Sequence, residues 1–174
     1  MGIVLPLFLL SISFNYVGNR NLVLADESLI QLQCRNAEVP STCIRCVESD
    51  PRGQSADKVT IAAIVISCIS DSAETLSGNM SALIGPREDG GVKRALRNCV
   101  EGFSKAKADL TKATNMLENK DYDETNSLVN KALHQEIYCK QNLSEYHISY
   151  PSMDYDMTIY EELTDAAMRI VDRF

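Results

Sequence analysis

The chain has 174 residues, of which 45% are hydrophobic and 24% are charged. This composition is typical of one globular domain with its own core and unlike that of a disordered segment. The formal net charge of −7 disfavours nucleic acids, anionic membranes and polyanionic substrates as partners, because phosphate contacts need a basic surface. A cationic protein surface would instead be attracted.

The first 25 residues have the pattern of a secretory signal peptide. An almost unbroken apolar run covers residues 3–14, which is short for a membrane span and matches the apolar part of a signal sequence. We predict cleavage near Ala25, although no Lys or Arg precedes the apolar run, and a buried N-terminal helix is the alternative. No later segment approaches a run of about 18 apolar residues, so we expect a secreted domain over 26–174 without a membrane span.

The cysteines and two sequons fit this secretory route. An even number of cysteines in an oxidising compartment indicates a disulfide framework, although spacing alone does not choose among the possible pairings. Asn79 and Asn142 each begin an Asn-x-Ser triplet and are predicted N-glycosylation sites. The six cysteines are Cys34, Cys43, Cys46, Cys68, Cys99 and Cys139.

Residues 27–50 are predicted to form a short helical hairpin. The stretch "ESLIQLQC" has a helical pattern, Pro40 and Ser41 are expected to make a turn, and "TCIRCVESD" begins a second short helix. A hairpin of this size has too little core to hold its own shape, so it needs a further constraint.

Residues 55–174 have the periodicity of four longer amphipathic helices. The segments begin near Ser55, Val92, Glu124 and Ser152, and their apolar residues recur at steps of three and four. Four such helices with short connections predict an all-α, up-down-up-down four-helix bundle. In the first segment the apolar stripe comprises Val59, Ala62, Ile66, Ile69, Ala73, Leu76, Met80 and Leu83.

Catalytic and metal-binding interpretations find little support. Cys43 and Cys46 form a C-x-x-C, but a redox pair of this type follows a strand at the start of a helix, and no strand and helix alternate here. Zinc would need more ligands than the isolated His134 and His147 offer. Motifs for nucleophilic catalysis or phosphate binding are also missing. We therefore expect a binding protein without metal or cofactor, and not an enzyme.

Two cysteine spacings and two longer segments resemble those of a known family. Cys34 and Cys43 are nine positions apart, and Cys99 and Cys139 are forty apart. The segments are "VESDPRGQSAD" after the hairpin and "NCVEGFSKAKADLTKATNMLENKDYD" in the second bundle helix and its turn. In these features residues 27–174 resemble the plant invertase and pectin methylesterase inhibitor family. The resemblance implies a secreted, non-catalytic inhibitor of a cell-wall enzyme.

The resemblance also implies disulfides Cys34–Cys43 and Cys99–Cys139. The second pair agrees with the helical pattern, because both residues face inward and are equally distant from a turn near residue 119. Cys46 and Cys68 lie outside the four cysteines common to the family. We predict that they form a third bridge between the hairpin and the first bundle helix; two free buried thiols are the alternative.

The family contains two kinds of inhibitor. Some members cover the pectin-binding cleft of pectin methylesterase, and the best-known invertase inhibitors insert a Pro-Lys-Phe segment from the turn between the second and third bundle helices. Here that turn contains Asp121, Tyr122 and Asp123, which we predict to contact the partner. An acidic turn would be repelled by invertase carboxylates. We therefore predict a pectin methylesterase inhibitor of the cell wall, with vacuolar location, acid invertase inhibition and a non-inhibitory structural bundle as alternatives.

Overall fold

Six α-helices and one 3₁₀ turn make up the residues that this computed structural model describes, 29–85 and 89–174. The predicted signal peptide lies outside these residues. Helix α1 covers 29–34, α2 covers Pro40–Ser49, and the 3₁₀ turn covers Pro51–Ser55. The longer helices are α3 (Lys58–Leu83), α4 (Gly90–Glu118), α5 (Tyr122–Glu145) and α6 (Pro151–Val171).

The four long helices form a closed, antiparallel bundle. Along the chain α3 packs on α4, α4 on α5 and α5 on α6, and contacts between α6 and α3 close the ring. The short helix α2 packs on α3 and α6 at the outside of this ring. The arrangement confirms the predicted all-α, up-down-up-down bundle with a helical hairpin in front of it.

The apolar stripes supply the core of the bundle. Six of the eight stripe residues predicted for α3 are fully buried, and the two at its ends, Val59 and Leu83, are partly buried. Phe103 of α4 and Tyr160 of α6 meet edge to face, with ring centroids 5.7 Å apart. The buried Tyr160 hydroxyl donates to the carbonyl oxygen of Ala132 at 3.0 Å, so its polar end is satisfied.

Helix α3 is buried on more than its predicted face. Ile61, Ile64 and Val65 lie off the stripe, yet none of them is exposed to solvent. Among the described residues, α3 is also the one helix long and apolar enough to cross a membrane, with a mean hydropathy of 1.5. The sequence analysis predicts no such segment, because α3 contains no unbroken run of about 18 apolar residues. Its position between α2, α4 and α6 accounts for this apolarity, since core helices have the same composition.

Two helix starts differ from the sequence-based expectation. The Asp57 carboxylate caps α3 by accepting a hydrogen bond from the Thr60 N–H at 2.7 Å, whereas Ser55 ends the preceding 3₁₀ turn. Pro40 opens α2 and does not lie in the turn before it. The first helical position tolerates proline because the N–H of that residue would have no intrahelical acceptor.

Three disulfides tie neighbouring helices together. Cys34–Cys43 joins α1 to α2, Cys46–Cys68 joins α2 to α3, and Cys99–Cys139 joins α4 to α5, with Cα–Cα distances of 5.6, 6.3 and 4.8 Å. No cysteine of the described stretches is free. The pairs are those proposed from the sequence. The last one closes a loop of 40 residues, which in the chain-entropy picture stabilises the fold by roughly 4 kcal/mol.

Polar contacts also hold the hairpin against α6. The Thr42 hydroxyl donates to the Glu162 carboxylate at 2.5 Å, and the Glu38 N–H donates to Asp165 at 2.8 Å. At the end of the chain, the Arg173 guanidinium donates to backbone carbonyl oxygens of α1. The hairpin is therefore anchored to α6 by hydrogen bonds and to α3 by a covalent bridge.

Candidate protein-binding site

The turn between α4 and α5, where a partner contact was predicted, has a fixed backbone. Helix α4 ends at the C-cap Asn119, and the next residue, Lys120, has a left-handed φ of 63°. The Lys120 N–H donates to the Leu117 carbonyl at 3.0 Å, and the Asp121 N–H donates to the Met116 carbonyl at 2.9 Å. These paired bonds define a Schellman motif, which sets the direction in which α5 begins.

Asp121 has a structural role in this turn. Its carboxylate accepts the Glu124 N–H at 3.2 Å and so caps the start of α5, while its carbonyl accepts the Thr125 hydroxyl at 2.7 Å. A carboxylate at this position also interacts favourably with the positive end of the helix dipole. Helix formation alone therefore explains why an acid stands at residue 121.

Tyr122 faces the end of the chain. Its ring meets the Phe174 ring edge to face at 4.9 Å, and the Lys58 ammonium lies 4.7 Å from the centre of the Phe174 ring. The start of α3, the start of α5 and the C-terminus are thus joined in one small aromatic and cationic cluster. Tyr122 is half-buried there and does not extend from the turn.

Asp123 is the one member of the predicted trio whose side chain is free. It is exposed in the first turn of α5, and among the described residues its carboxylate makes no hydrogen bond or ion pair. Lys120 and Glu118, at the end of α4, are exposed beside it in sequence. The turn therefore offers a partner a rigid, charged surface and no protruding aromatic side chain.

A buried acid that the sequence analysis does not predict lies between α5 and α6. Glu136 is not exposed to solvent, and its Oε1 lies 3.3 Å from the Lys140 ammonium, which in turn lies 2.6 Å from Glu161 of α6. Neither Glu136 oxygen has a hydrogen-bond partner. The sequence pattern could have indicated this burial, because position 136 lies on the same helix face as the apolar residues Ala132 and Cys139.

The environment of Glu136 favours its neutral form. Burial, and to a smaller extent the nearby Glu161 carboxylate, raise the pKa of Glu136 to about 7, while the Lys140 ammonium opposes the shift. Burial alone would lower the pKa of Lys140, but its hydrogen bond to Glu161 and the charge of Glu136 raise it overall. Glu136 therefore changes charge in a pH range where few other carboxyl groups do.

Neither histidine is part of a metal site. His134 is exposed on α5, and His147 is exposed just after α5 with a left-handed φ of 54°. The backbone of residues 147 and 148 closes a second Schellman motif onto Ser144 and Leu143. Within 29–85 and 89–174, no three His, Cys, Asp or Glu side chains are grouped so that they could hold a metal ion.

The two predicted glycosylation sites have different surroundings. Asn79 is exposed in the last part of α3, and its amide donates weakly to Asp156 at 3.4 Å. Asn142 is half-buried on α5, where its amide donates to the Tyr138 carbonyl at 2.7 Å. Both remain predictions, with Asn79 the more accessible acceptor.

Two exposed tyrosines were missed by the sequence analysis. Tyr138 of α5 is 57% exposed and Tyr155 of α6 is 60% exposed, so packing inside the bundle does not explain either. Both lie off the apolar stripes of their helices, and from this position the sequence could have indicated that they are exposed. Tyrosine is enriched at protein interfaces because its ring buries much area while its hydroxyl remains bonded.

Comparison with known proteins identifies the family. Residues 28–170 match the family described as plant invertase/pectin methylesterase inhibitor, and the chain belongs to this family. It is a family of enzyme inhibitors, and the chain is not an enzyme. Two crystal structures of pectin methylesterase inhibitors from Arabidopsis, one of them a mutant form, share the fold. Their TM-scores are 0.70 and 0.63 at 20% identity, covering 82% and 83% of this chain and 95% of each inhibitor.

Curated relatives fall on both sides of the family. A pectinesterase inhibitor of Actinidia deliciosa is 27% identical over 72% of this chain and 68% of its own length. Pectinesterase inhibitor 2 of Arabidopsis thaliana is 25% identical over 78% of this chain and 76% of its own. A cell wall / vacuolar inhibitor of fructosidase from Arabidopsis thaliana is 26% identical over 55% and 54%. The family match over residues 28–170 places the chain among these inhibitors, and identities of 25–27% do not distinguish the target enzyme.

The left-handed backbone at residue 120 yields a stability prediction. Lys120→Gly should stabilise the protein by about 0.5–1 kcal/mol, because glycine has no Cβ to clash in this conformation. The greater flexibility of glycine in the unfolded chain cancels only part of this gain. Urea unfolding measures the difference. Lys120→Ala removes the same charge but keeps the Cβ, so it should give no gain. Equal stabilisation by both variants would contradict the backbone explanation.

Glu136 should make stability depend on pH. Between the ordinary pKa of 4.5 and the folded value of about 7, the folded protein keeps a proton that the unfolded chain releases. Stability therefore falls as pH rises through this window. The Glu136→Gln side chain cannot ionise. The free energy of unfolding of this variant, minus that of the unmodified protein, should therefore be larger at about pH 8 than at about pH 4, by roughly 1–3 kcal/mol.

Urea unfolding across this pH range checks the prediction. The matched control is Glu74→Gln, which makes the same chemical change at an exposed site. The hydrogen bond from Lys107 lowers the pKa of Glu74, so any stabilisation from Glu74 is lost as the pH falls. This pH dependence is opposite in direction to that expected for Glu136. Parallel pH curves for Glu136→Gln and the unmodified protein would show that Glu136 does not titrate in this window.

Proposed function

We propose that the chain is an inhibitor of pectin methylesterase, which forms a one-to-one complex and covers the substrate cleft of the enzyme. The observation that carries this choice is the geometry of the α4–α5 turn. Its aromatic residue, Tyr122, is half-buried against Phe174 at the end of the bundle, and its free side chain is the acid Asp123. Such a turn is suited to lie on a partner surface and unsuited to enter a deep active site.

The charge of the turn supports the same choice. Insertion into an invertase would bring Asp123 close to the carboxylates of that enzyme, and like charges repel strongly where water is excluded. A broad surface contact lets the same charge pair with cationic groups of a partner, consistent with the net charge of −7. The names of the two pectinesterase inhibitors among the relatives agree with this proposal.

Invertase inhibition is the second candidate function. The 26% identity to a fructosidase inhibitor supports it, and that identity differs little from those to the pectinesterase inhibitors. A bundle that has kept the fold but lost inhibition is the third. Residues 26–174 would act after removal of a signal peptide over 1–25, in the cell wall, with the vacuole as the alternative location named for the fructosidase inhibitor.

A paired inhibition assay tests the proposal. We expect the purified protein to inhibit pectin methylesterase stoichiometrically and to leave cell-wall and vacuolar invertase active at the same concentrations. Size-exclusion chromatography should show a complex of one inhibitor with one enzyme molecule. Inhibition of invertase alone would select the second candidate function, and inhibition of neither enzyme would leave the non-inhibitory bundle.

A charge reversal tests whether the turn contacts the enzyme. Asp123→Lys should weaken inhibition of pectin methylesterase about 5- to 20-fold, because a rim charge of the wrong sign slows association and costs about 1–2 kcal/mol. Since Asp123 makes no internal contact, the folded protein should lose little stability beyond a weaker helix-dipole interaction. Titration of enzyme activity against inhibitor concentration gives the apparent affinity.

Asp71→Lys is the matched control for this variant. Asp71 is exposed in the middle of α3, and the described residues include no side-chain partner for it. The net charge changes by the same amount, so a general effect of charge would appear in both variants. Equal inhibition by the Asp123 and Asp71 variants would place the enzyme contact elsewhere on the bundle.

A further inference from the structure

A groove between α2, α3 and α6 leads to one of the three disulfides. It has a volume of about 380 Å³ and is lined by both Cys46 and Cys68. Arg45, Thr75 and Tyr155 also line it, and all three side chains are exposed. The bridge therefore lies where a small molecule from solvent can approach its sulfur atoms.

The other two bridges lack this access. All four of their cysteines have an exposure of 0% or 1%, whereas Cys46 has 7% and Cys68 is only partly buried. Thiol–disulfide exchange requires a thiolate to reach a sulfur atom along the S–S axis, so access decides which bridge reacts first. The buried cysteines are Cys34, Cys43, Cys99 and Cys139.

We propose that Cys46–Cys68 is a thiol–disulfide exchange site, which a small thiol reductant entering the groove opens while the protein stays folded. The thiolate of the reductant attacks Sγ of Cys68, which is the more exposed of the two cysteines, and the S–S bond breaks. Cys46 leaves as a thiolate and takes up a proton from water. A second reductant thiolate then attacks the mixed disulfide, which releases Cys68 and an oxidised reductant dimer. Two electrons pass from the reductant to the bridge.

The contacts around the hairpin allow this bridge to open without unfolding. The Cys34–Cys43 bridge still closes the hairpin, and the hydrogen bonds to Glu162 and Asp165 still hold it on α6. Cys46 also packs within the core, where its sulfur lies 3.8 Å from the carbonyl oxygen of Ile64, an acceptor for the released thiol. The change is thus a local loosening of α2 from α3.

A titration of the full mature chain with reduced glutathione tests the proposal. Free thiols are trapped by alkylation, the modified peptides are identified by mass spectrometry, and far-UV circular dichroism follows the fold. We expect Cys46 and Cys68 to be alkylated at reductant concentrations that leave the other four cysteines bridged and the helical signal unchanged. Simultaneous opening of all three bridges, or earlier opening of either buried bridge, would overturn the proposal.

Two variants at the rim test the route of access. Thr75 is exposed, and its hydroxyl donates only to the backbone of its own helix, so substitution should leave the fold intact. Because the attacking thiolate is an anion, Thr75→Lys should speed reduction of the bridge about threefold at low salt, and Thr75→Glu should slow it by a similar factor. Added salt should shrink both effects.

Thr111 provides the matched control. It is exposed on α4, makes the same type of backbone hydrogen bond, and lines a different groove. Thr111→Lys and Thr111→Glu should therefore leave the reduction rate unchanged. Equal rates for the two Thr75 variants would show that the reductant does not enter through this groove and would overturn the assigned route. The measurement needs no target enzyme, so its result is independent of the proposed inhibition.

Discussion

The structure depends on burying four apolar stripes against one another in a closed ring. Each stripe covers only one face of its helix, so no helix can satisfy it alone, and the short connections leave antiparallel neighbours as the simple solution. This constraint sets the heights of α4 and α5 relative to each other. It brings Cys99 and Cys139 within 4.8 Å at their Cα atoms, so the disulfide secures a register that packing has already chosen.

The same register decides what the α4–α5 turn can do. With the helix ends fixed, a tight Schellman turn through Lys120 is needed to reverse the chain, and Asp121 is then placed to cap α5. The next residue, Tyr122, faces the bundle end, where the ring of Phe174 receives it. Of the three residues 121–123, Asp123 is the one whose side chain is not used to close the bundle, so packing decides which side chain of the turn remains available to a partner.

The fold was predictable because its stripes are long and regular, and the candidate site was less so. Leu76 or Leu110 could be assigned to the core from local spacing, and Cys46 could be paired with Cys68 by elimination once the family pairs were proposed. By contrast, the contact of Tyr122 with Phe174 joins residues far apart in sequence, and no local pattern indicates it. Ile64 lies off the stripe and its carbonyl oxygen is 3.8 Å from the Cys46 sulfur of α2, so its environment depends on where the hairpin docks, which spacing along α3 does not record.

Glu136 is an exception to the apolar stripes that form the core, because here an acid occupies a buried stripe position of α5. Its burial with no hydrogen bond, and with the Lys140 ammonium 3.3 Å away as its ion-pair partner, should cost up to a few kcal/mol when it is charged. One helical turn away, the Cys99–Cys139 bridge contributes roughly 4 kcal/mol by restricting the unfolded chain. The two magnitudes are comparable, so the covalent link between α4 and α5 can offset the cost of the acid. A bundle without that bridge would have far less tolerance for a carboxylate at this depth.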